Sequence, residues 1–393
     1  MTLQTGNIEI MNRILYRLKY LLILLLFIVM AIPTMAVAGV GQADDKGFSL
    51  QYARGIQMQR HADGILVTIH PAWDKNESAV RYLLVPKGKK ITVKDPALQV
   101  ITVPVQRVVS LSTTHLAYIN AAGCTDRLVG LADFKHVNTP SVIQRIEAGN
   151  VKAVGNFSNL RIETIMDLSP DLILTSASGS IYDSHPKLME AGLPTVMVID
   201  HMEAHPLGRL EWIKFLGLLL GTDSHACRLF DQTVAEYKQL VEKTATVSNR
   251  PRVLTGAPFQ GQWWVARGGS FIAHYIRDAG GDYLWASIPG VSSVPMDIES
   301  VYERALSADV WINTGSWKRA DESLAADSRF GIIPALEKGR MYNNNKRLNR
   351  WGGNDYWESG MLHPEVVLAD LIAILHPDLL PDHELFYYRR LGR

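Results

Sequence analysis

The strand signal vanishes for more than forty residues in the middle of this chain, and that gap constrains its architecture more than any other feature. Leu210-Glu211-Trp212-Ile213-Lys214-Phe215-Leu216 begins a helix that ends near Gly221, where glycine suits a left-handed cap. Thr222 and Asp223 can start a second helix reaching about Lys243. Its apolar positions Cys227, Phe230, Val234, Tyr237, Leu240 and Val241 follow three- and four-residue spacing, so one stripe is buried. Pro251 stops it, and Arg252-Val253-Leu254-Thr255 resumes a strand. A helical connector dividing two strand-and-helix blocks is the expected plan.

Before the connector, short buried-type strands are read at Val108–Leu111, Leu128–Gly130, Asp171–Leu174 and Thr195–Ile199. Helices are expected between them, around Pro140–Ala148, Ile162–Leu168 and Pro186–Ala191, with Ser112-Thr113-Thr114 capping another through Ala121. Alternation of this kind builds parallel sheets covered on both faces. Ahead of it, Gly64–Ile69, Arg81–Val85 and Val100–Val103 read as a small separate sheet ending at Pro104. An internal echo supports duplication. Ile162-Glu163 leads through an apolar helix to Leu168-Ser169-Pro170-Asp171, and Ile298-Glu299 leads likewise to Leu306-Ser307-Ala308-Asp309.

The N-terminus has the order of a secretory signal. Arg13, Arg17 and Lys19 precede the apolar run Tyr20–Ile32, then Pro33 and Ala36-Val37-Ala38, so cleavage is expected after Ala38. A run of 13 residues is shorter than the ~20 needed to span a bilayer, so the mature chain is expected in the periplasm rather than across the membrane. No Cys lies there to carry a lipid; Cys124 and Cys227 are expected as small thiols in helical segments rather than a bridge. Forty Lys and Arg against 39 Asp and Glu exclude a broad nucleic-acid-binding face. The expected division is 1–38 signal, 39–105 β-rich extension, 106–206 first lobe, 207–250 linking helices and 251–393 second lobe.

The order and spacing of these elements resemble the periplasmic binding proteins of ABC importers for ferric siderophores, haem and cobalamin. The matching residues are Arg107-Val108-Val109-Ser110-Leu111-Ser112, Glu163 with Leu168–Ile173, Gly192-Leu193-Pro194-Thr195-Val196 and Ala279-Gly280-Gly281. Glu299 with Ala308-Asp309-Val310, and the late His376-Pro377, fit as well. The resemblance implies α/β architecture, with two doubly wound parallel-sheet lobes joined by a long rigid helix, and a monomer that delivers its ligand to a membrane permease. It also implies that Glu163 and Glu299 meet permease arginines, and a carboxylate near a helix start is well placed for that. The β-rich segment before Arg107 and the stretch Tyr342–Gly360 depart from the family's minimal pattern.

In doubly wound sheets the ligand lies beyond the C-terminal strand ends. Loops expected there carry Thr114, His115, Trp263, Trp264, Trp317, Arg347, Arg350, Trp351, Tyr356 and Trp357, the candidate ligand-binding residues, with Lys346 beside them. Aromatic faces with arginines suit a flat, anionic ligand. A ferric siderophore has that character; haem and cobalamin share part of it. His201 and His205 have helix-face spacing for a metal but no evident third ligand, so an exported metal-ion-binding protein is the alternative from another class. No G-x-S-x-G, H-E-x-x-H or G-x-x-x-x-G-K-[ST] signature occurs, and neither catalysis nor a cofactor is expected. Gly268-Gly269-Ser270, before an apolar helix, is a weak anion signal.

Overall fold

The computed structural model describes residues 49–71, 79–156, 159–180 and 182–392; the export signal expected at residues 1–38 lies outside them. Two helices, Pro206–Leu220 and Asp223–Thr244, fill the gap in the strand pattern. Gly221 turns the chain between them at φ 68°, a conformation a side chain resists. The first helix is apolar almost all round and is correspondingly buried on nearly every face. The second buries one stripe that includes Phe230, Val234 and Tyr237. Among the described residues, no helix is long and apolar enough to cross a membrane.

Four strands precede the lobes: β1 (Ile56–His61), β2 (Gly64–Ile69), β3 (Val80–Pro86) and β4 (Leu98–Val103). They lie in sequence order, antiparallel except for the parallel β3–β4 pair. The sequence reading named only three of them. β1 escaped because Ile56-Gln57-Met58-Gln59 buries just Ile56 and Met58, leaving no apolar run.

The first lobe is a five-stranded parallel sheet. Its strands are β5 (Val108–Ser110), β6 (Leu128–Leu131), β7 (Lys152–Ala153), β8 (Leu172–Thr175) and β9 (Thr195–Met197), in the order β7-β6-β5-β8-β9. β5 and β8 are buried at every position, as a sheet covered on both faces requires. The second lobe contains β10 (Arg252–Thr255), β11 (Pro258–Phe259), β12 (Gln262–Ala266), β13 (Asp282–Tyr283), β14 (Ser293–Met296) and β15 (Val310–Ile312). β10 lies between β13 and β15 in a parallel sheet, while β11, β12 and β14 form a separate antiparallel one.

The internal echo has a structural basis. Asp171 accepts hydrogen bonds from the backbone amides of Gln106 and Arg107 at 2.8 and 2.9 Å, just ahead of β5. Asp309 accepts from the amide of Arg252 at 2.9 Å, at the start of β10. In both lobes the aspartate of the Leu-Ser-x-Asp unit ties an incoming strand to the first strand of its sheet.

Two details differ from the sequence reading. Thr113 occupies the cap of helix Thr114–Ala121 in an already helical backbone conformation and makes no side-chain cap hydrogen bond; Ser112 Oγ pairs with Thr114 Oγ1 at 2.9 Å. Cys124 is buried in the turn after that helix rather than within a helix, while it and Cys227 remain thiols rather than a disulfide, as expected.

Candidate functional site

Where β9, β10 and β15 end, their loops and the antiparallel sheet enclose a cavity of about 400 Å³. His201, Met202 and Glu203 enter from the first lobe; Gly256, Phe271 and Asn313 enter from the second. Trp264, Val291 and Trp357 complete an apolar wall. Among the described residues lining it there is no Lys or Arg. This is the size and character of an organic-ligand pocket with few polar anchors.

Its floor is polar and buried. The Glu203 carboxylate is occupied, accepting from the amides of Arg54 and Gly55 at 2.9 Å each and from Trp212 Nε1 at 3.0 Å. Asp200 accepts from the Tyr118 hydroxyl at 3.1 Å through Oδ2, whereas its buried Oδ1 has no hydrogen-bond partner. Arg209, 5% exposed, lies with its guanidinium carbon 4.5 Å from the centre of the Phe271 ring, and its Nε has no hydrogen-bond partner. Phe271 therefore separates the cavity from a buried cation. Burial lowers the proton affinity of His201 and brings His115 down to about 4, so a neutral His115 ring is favoured at neutral pH.

Of the expected binding residues, Trp264 and Trp357 reach the cavity. Trp263 does not. It is fully buried, stacked on Trp311 at 5.7 Å, and its Nε1 donates to the Thr255 carbonyl at 2.9 Å. Side chains alternate along β12, so adjacent tryptophans cannot both face the cleft. Tyr356 is likewise core, with Trp357, Tyr387 and Tyr388 edge-on around it. His115 is fully buried with Nδ1 3.0 Å from Ser110 Oγ, and Thr114 is half-buried beside Ser112. Trp317 packs its edge on Trp311 at 5.6 Å.

The expected basic cluster is engaged elsewhere. Arg347 Nε donates to Asp355 at 2.7 Å, and its guanidinium lies 4.3 Å from the Phe386 ring. Arg350 stacks on the exposed Trp351 at 3.7 Å, and Lys346 Nζ bonds the Leu385 carbonyl. His205 caps the linker helix, its Nδ1 accepting from the Leu207 amide at 3.0 Å. Sequence reasoning missed Phe271 and Asn313. Phe271 follows the Gly-Gly-Ser stretch noted as a weak anion signal, whose Ser270 Oγ instead accepts from the Ala273 amide. Asn313, at φ 56°, offered no signal beyond its place at a strand end.

The sequence profile described as "Periplasmic binding protein" matches residues 108–348, more than half of the chain. The chain belongs to that family. An uncharacterised lipoprotein of Methanocaldococcus jannaschii is 26% identical to this binding protein over 307 residues, 74% of this chain and 70% of the relative. A vitamin B12-binding protein of Vibrio parahaemolyticus is 33% identical over 93 residues, only 23% of this chain and 30% of that one. Among solved structures, a periplasmic haem-binding protein of Pseudomonas aeruginosa superposes with a TM-score of 0.52 at 21% identity. That match covers 70% of the present binding protein and 93% of the Pseudomonas chain, and at this identity it speaks to the fold alone.

Proposed function

We propose that this protein is an exported solute receptor that captures a flat metal macrocycle of corrinoid type in the inter-lobe cavity and delivers it to an ABC importer. The observation that carries this reading is a wall of Trp264, Phe271, Val291 and Trp357 with no Lys or Arg among the described lining residues. A polyanionic ferric siderophore, the ligand expected from the loop composition, needs cations in the cleft. Arg347 is paired and Arg350 is stacked, neither of them on the cavity wall. A corrinoid rim of neutral amides needs apolar faces and a few polar anchors. The vitamin B12-binding relative supports the same class.

The test is titration with cyanocobalamin, haemin and a ferric triscatecholate, followed by tryptophan fluorescence. Cyanocobalamin is expected to bind with a Kd below about 1 μM, about −8 kcal/mol. Tighter binding of the triscatecholate would restore the siderophore reading.

Docking rests on Glu163 and Glu299. Each stands in the first turn of its helix, Ile162–Asp167 or Ile298–Ala305, and each is exposed. Arg329 approaches Glu299 at 3.6 Å, too loosely to occupy it. Replacing both by alanine is expected to leave ligand affinity within about twofold and to lower uptake at least about tenfold. Unchanged uptake in cells carrying the double variant would count against docking through these carboxylates.

A further inference from the structure

On the rim of the cleft, one loop of the second lobe is fastened to one loop of the first. Glu358, 1% exposed, sends its carboxylate to the start of helix Pro140–Glu147. Oε2 accepts from the Asn138 amide at 2.8 Å, and Oε1 accepts from the Thr139 amide at 2.8 Å and from the Thr139 hydroxyl. Thr139 is the helix's own cap residue, yet its side chain makes no capping bond. The other lobe supplies the cap, a carboxylate at the positive end of the helix dipole. Nine residues earlier, Asn349 Nδ2 donates to the carbonyls of Lys135 and Val137 at 2.8 and 3.0 Å. Gly353 lies so close to His136 that a Cβ there would fall 2.7 Å from its Cα, so only glycine allows the loop to seat.

This fastening is joined directly to the cavity, because Trp357, a wall residue, immediately precedes Glu358. The contacts bridge more than two hundred positions of sequence and depend on the relative placement of the lobes, not on the packing of either one. We infer that Glu358 and Asn349 form a latch between the lobes, which holds Trp357 against the cavity and must open before ligand leaves. Resting on the receptor reading above, the inference adds the element that governs release. Burial pushes the Glu358 carboxyl up from its ordinary value, and the hydrogen bonds it accepts from the backbone and side chains of Asn138 and Thr139 act in the opposite direction.

Two measurements on the full-length exported protein test the latch. In ligand-free protein, hydrogen exchange at the amides of Asn138 and Thr139 is expected to be slow, and at least about tenfold faster in Glu358→Ala. With cyanocobalamin as probe, Glu358→Ala is expected to release ligand at least about tenfold faster, with association changed less than about threefold. Asn349→Ala, at a half-buried position, is expected to move both readouts in the same direction by a smaller factor. Unchanged amide exchange in Glu358→Ala would mean there is no latch. Fast exchange with unaltered release would mean the contact is structural and does not govern the ligand. Because exchange is read without ligand, failure of cyanocobalamin to bind would overturn the ligand assignment and leave the latch open to its own test.

Discussion

Glu211→Ala is expected to lower the free energy of unfolding by about 3–5 kcal/mol. Glu211 is fully buried on helix Pro206–Leu220. Its Oε2 accepts from the amides of Tyr52 and Ala53 at 2.8 and 2.9 Å, and both oxygens take the Gln51 amide. Lys214 Nζ, on a residue 3% exposed, donates to Oε1 at 2.8 Å and lies 4.1 Å from the Phe230 ring. Alanine would orphan three backbone donors and leave a buried ammonium whose remaining acceptor, among the described residues, is the Ser49 carbonyl. Denaturant unfolding measures the change, and a loss below about 1 kcal/mol would contradict this account. Glu211→Leu combined with Lys214→Met removes both charges together and is expected to cost less than Glu211→Ala alone.

That contact also shows what the β-rich extension does. Residues 51–55 wrap the linker helix, held by Glu211 at one end and Glu203 at the other, and Glu203 in turn lines the cavity. The extension's sheet reaches the first lobe as well, where the Met197 amide donates to the Tyr82 hydroxyl at 3.1 Å. The extension is thus a support for the cavity floor. Nothing in the sequence signalled this, because a glutamate on a helix reads as a solvated face until its partners, about 150 positions away, are known.

The architecture was legible because it rests on local rules. Gly221 had to be a left-handed turn, β-branched runs had to be buried strands, and the two Leu-Ser-x-Asp units had to sit alike in their lobes. The lining of the candidate cavity was legible only in part. Loop position places Trp264 and Trp357 at the cavity, whereas Lys346, Arg347 and Arg350, expected beside them, do not line it. Their partners Asp355, Phe386, Trp351 and Leu385 engage them outside the cavity. A local count of arginines and tryptophans gives the chemistry present in a loop; which side chains turn toward the ligand is decided by contacts distant in sequence. The same holds for Trp263 and Trp264, adjacent and identical in type, divided between core and cleft by the pleat of β12.

Phe271→Ala is expected to weaken cyanocobalamin binding by about 30- to 150-fold, or about 2–3 kcal/mol. The ring does two things at once. It belongs to the apolar wall against which the proposed ligand would pack, and it lies 4.5 Å from the guanidinium carbon of the buried Arg209. Removing it enlarges the cavity and takes away the ring that packs on the Arg209 guanidinium, so contact area is lost and desolvation becomes costlier. Phe271→Leu keeps part of the cover and is expected to lose about tenfold or less, which separates the wall from any general effect on folding. Trp351→Ala provides the control. Trp351 is 55% exposed, stacked under Arg350 and absent from the cavity wall, so its removal is expected to change affinity less than about twofold. Equilibrium dialysis measures all three without depending on tryptophan emission. If Trp351→Ala weakened binding as much as Phe271→Ala, the ligand would have to lie on the outer face of the Asn345–Trp357 loop, and the cavity between the lobes would lose its role.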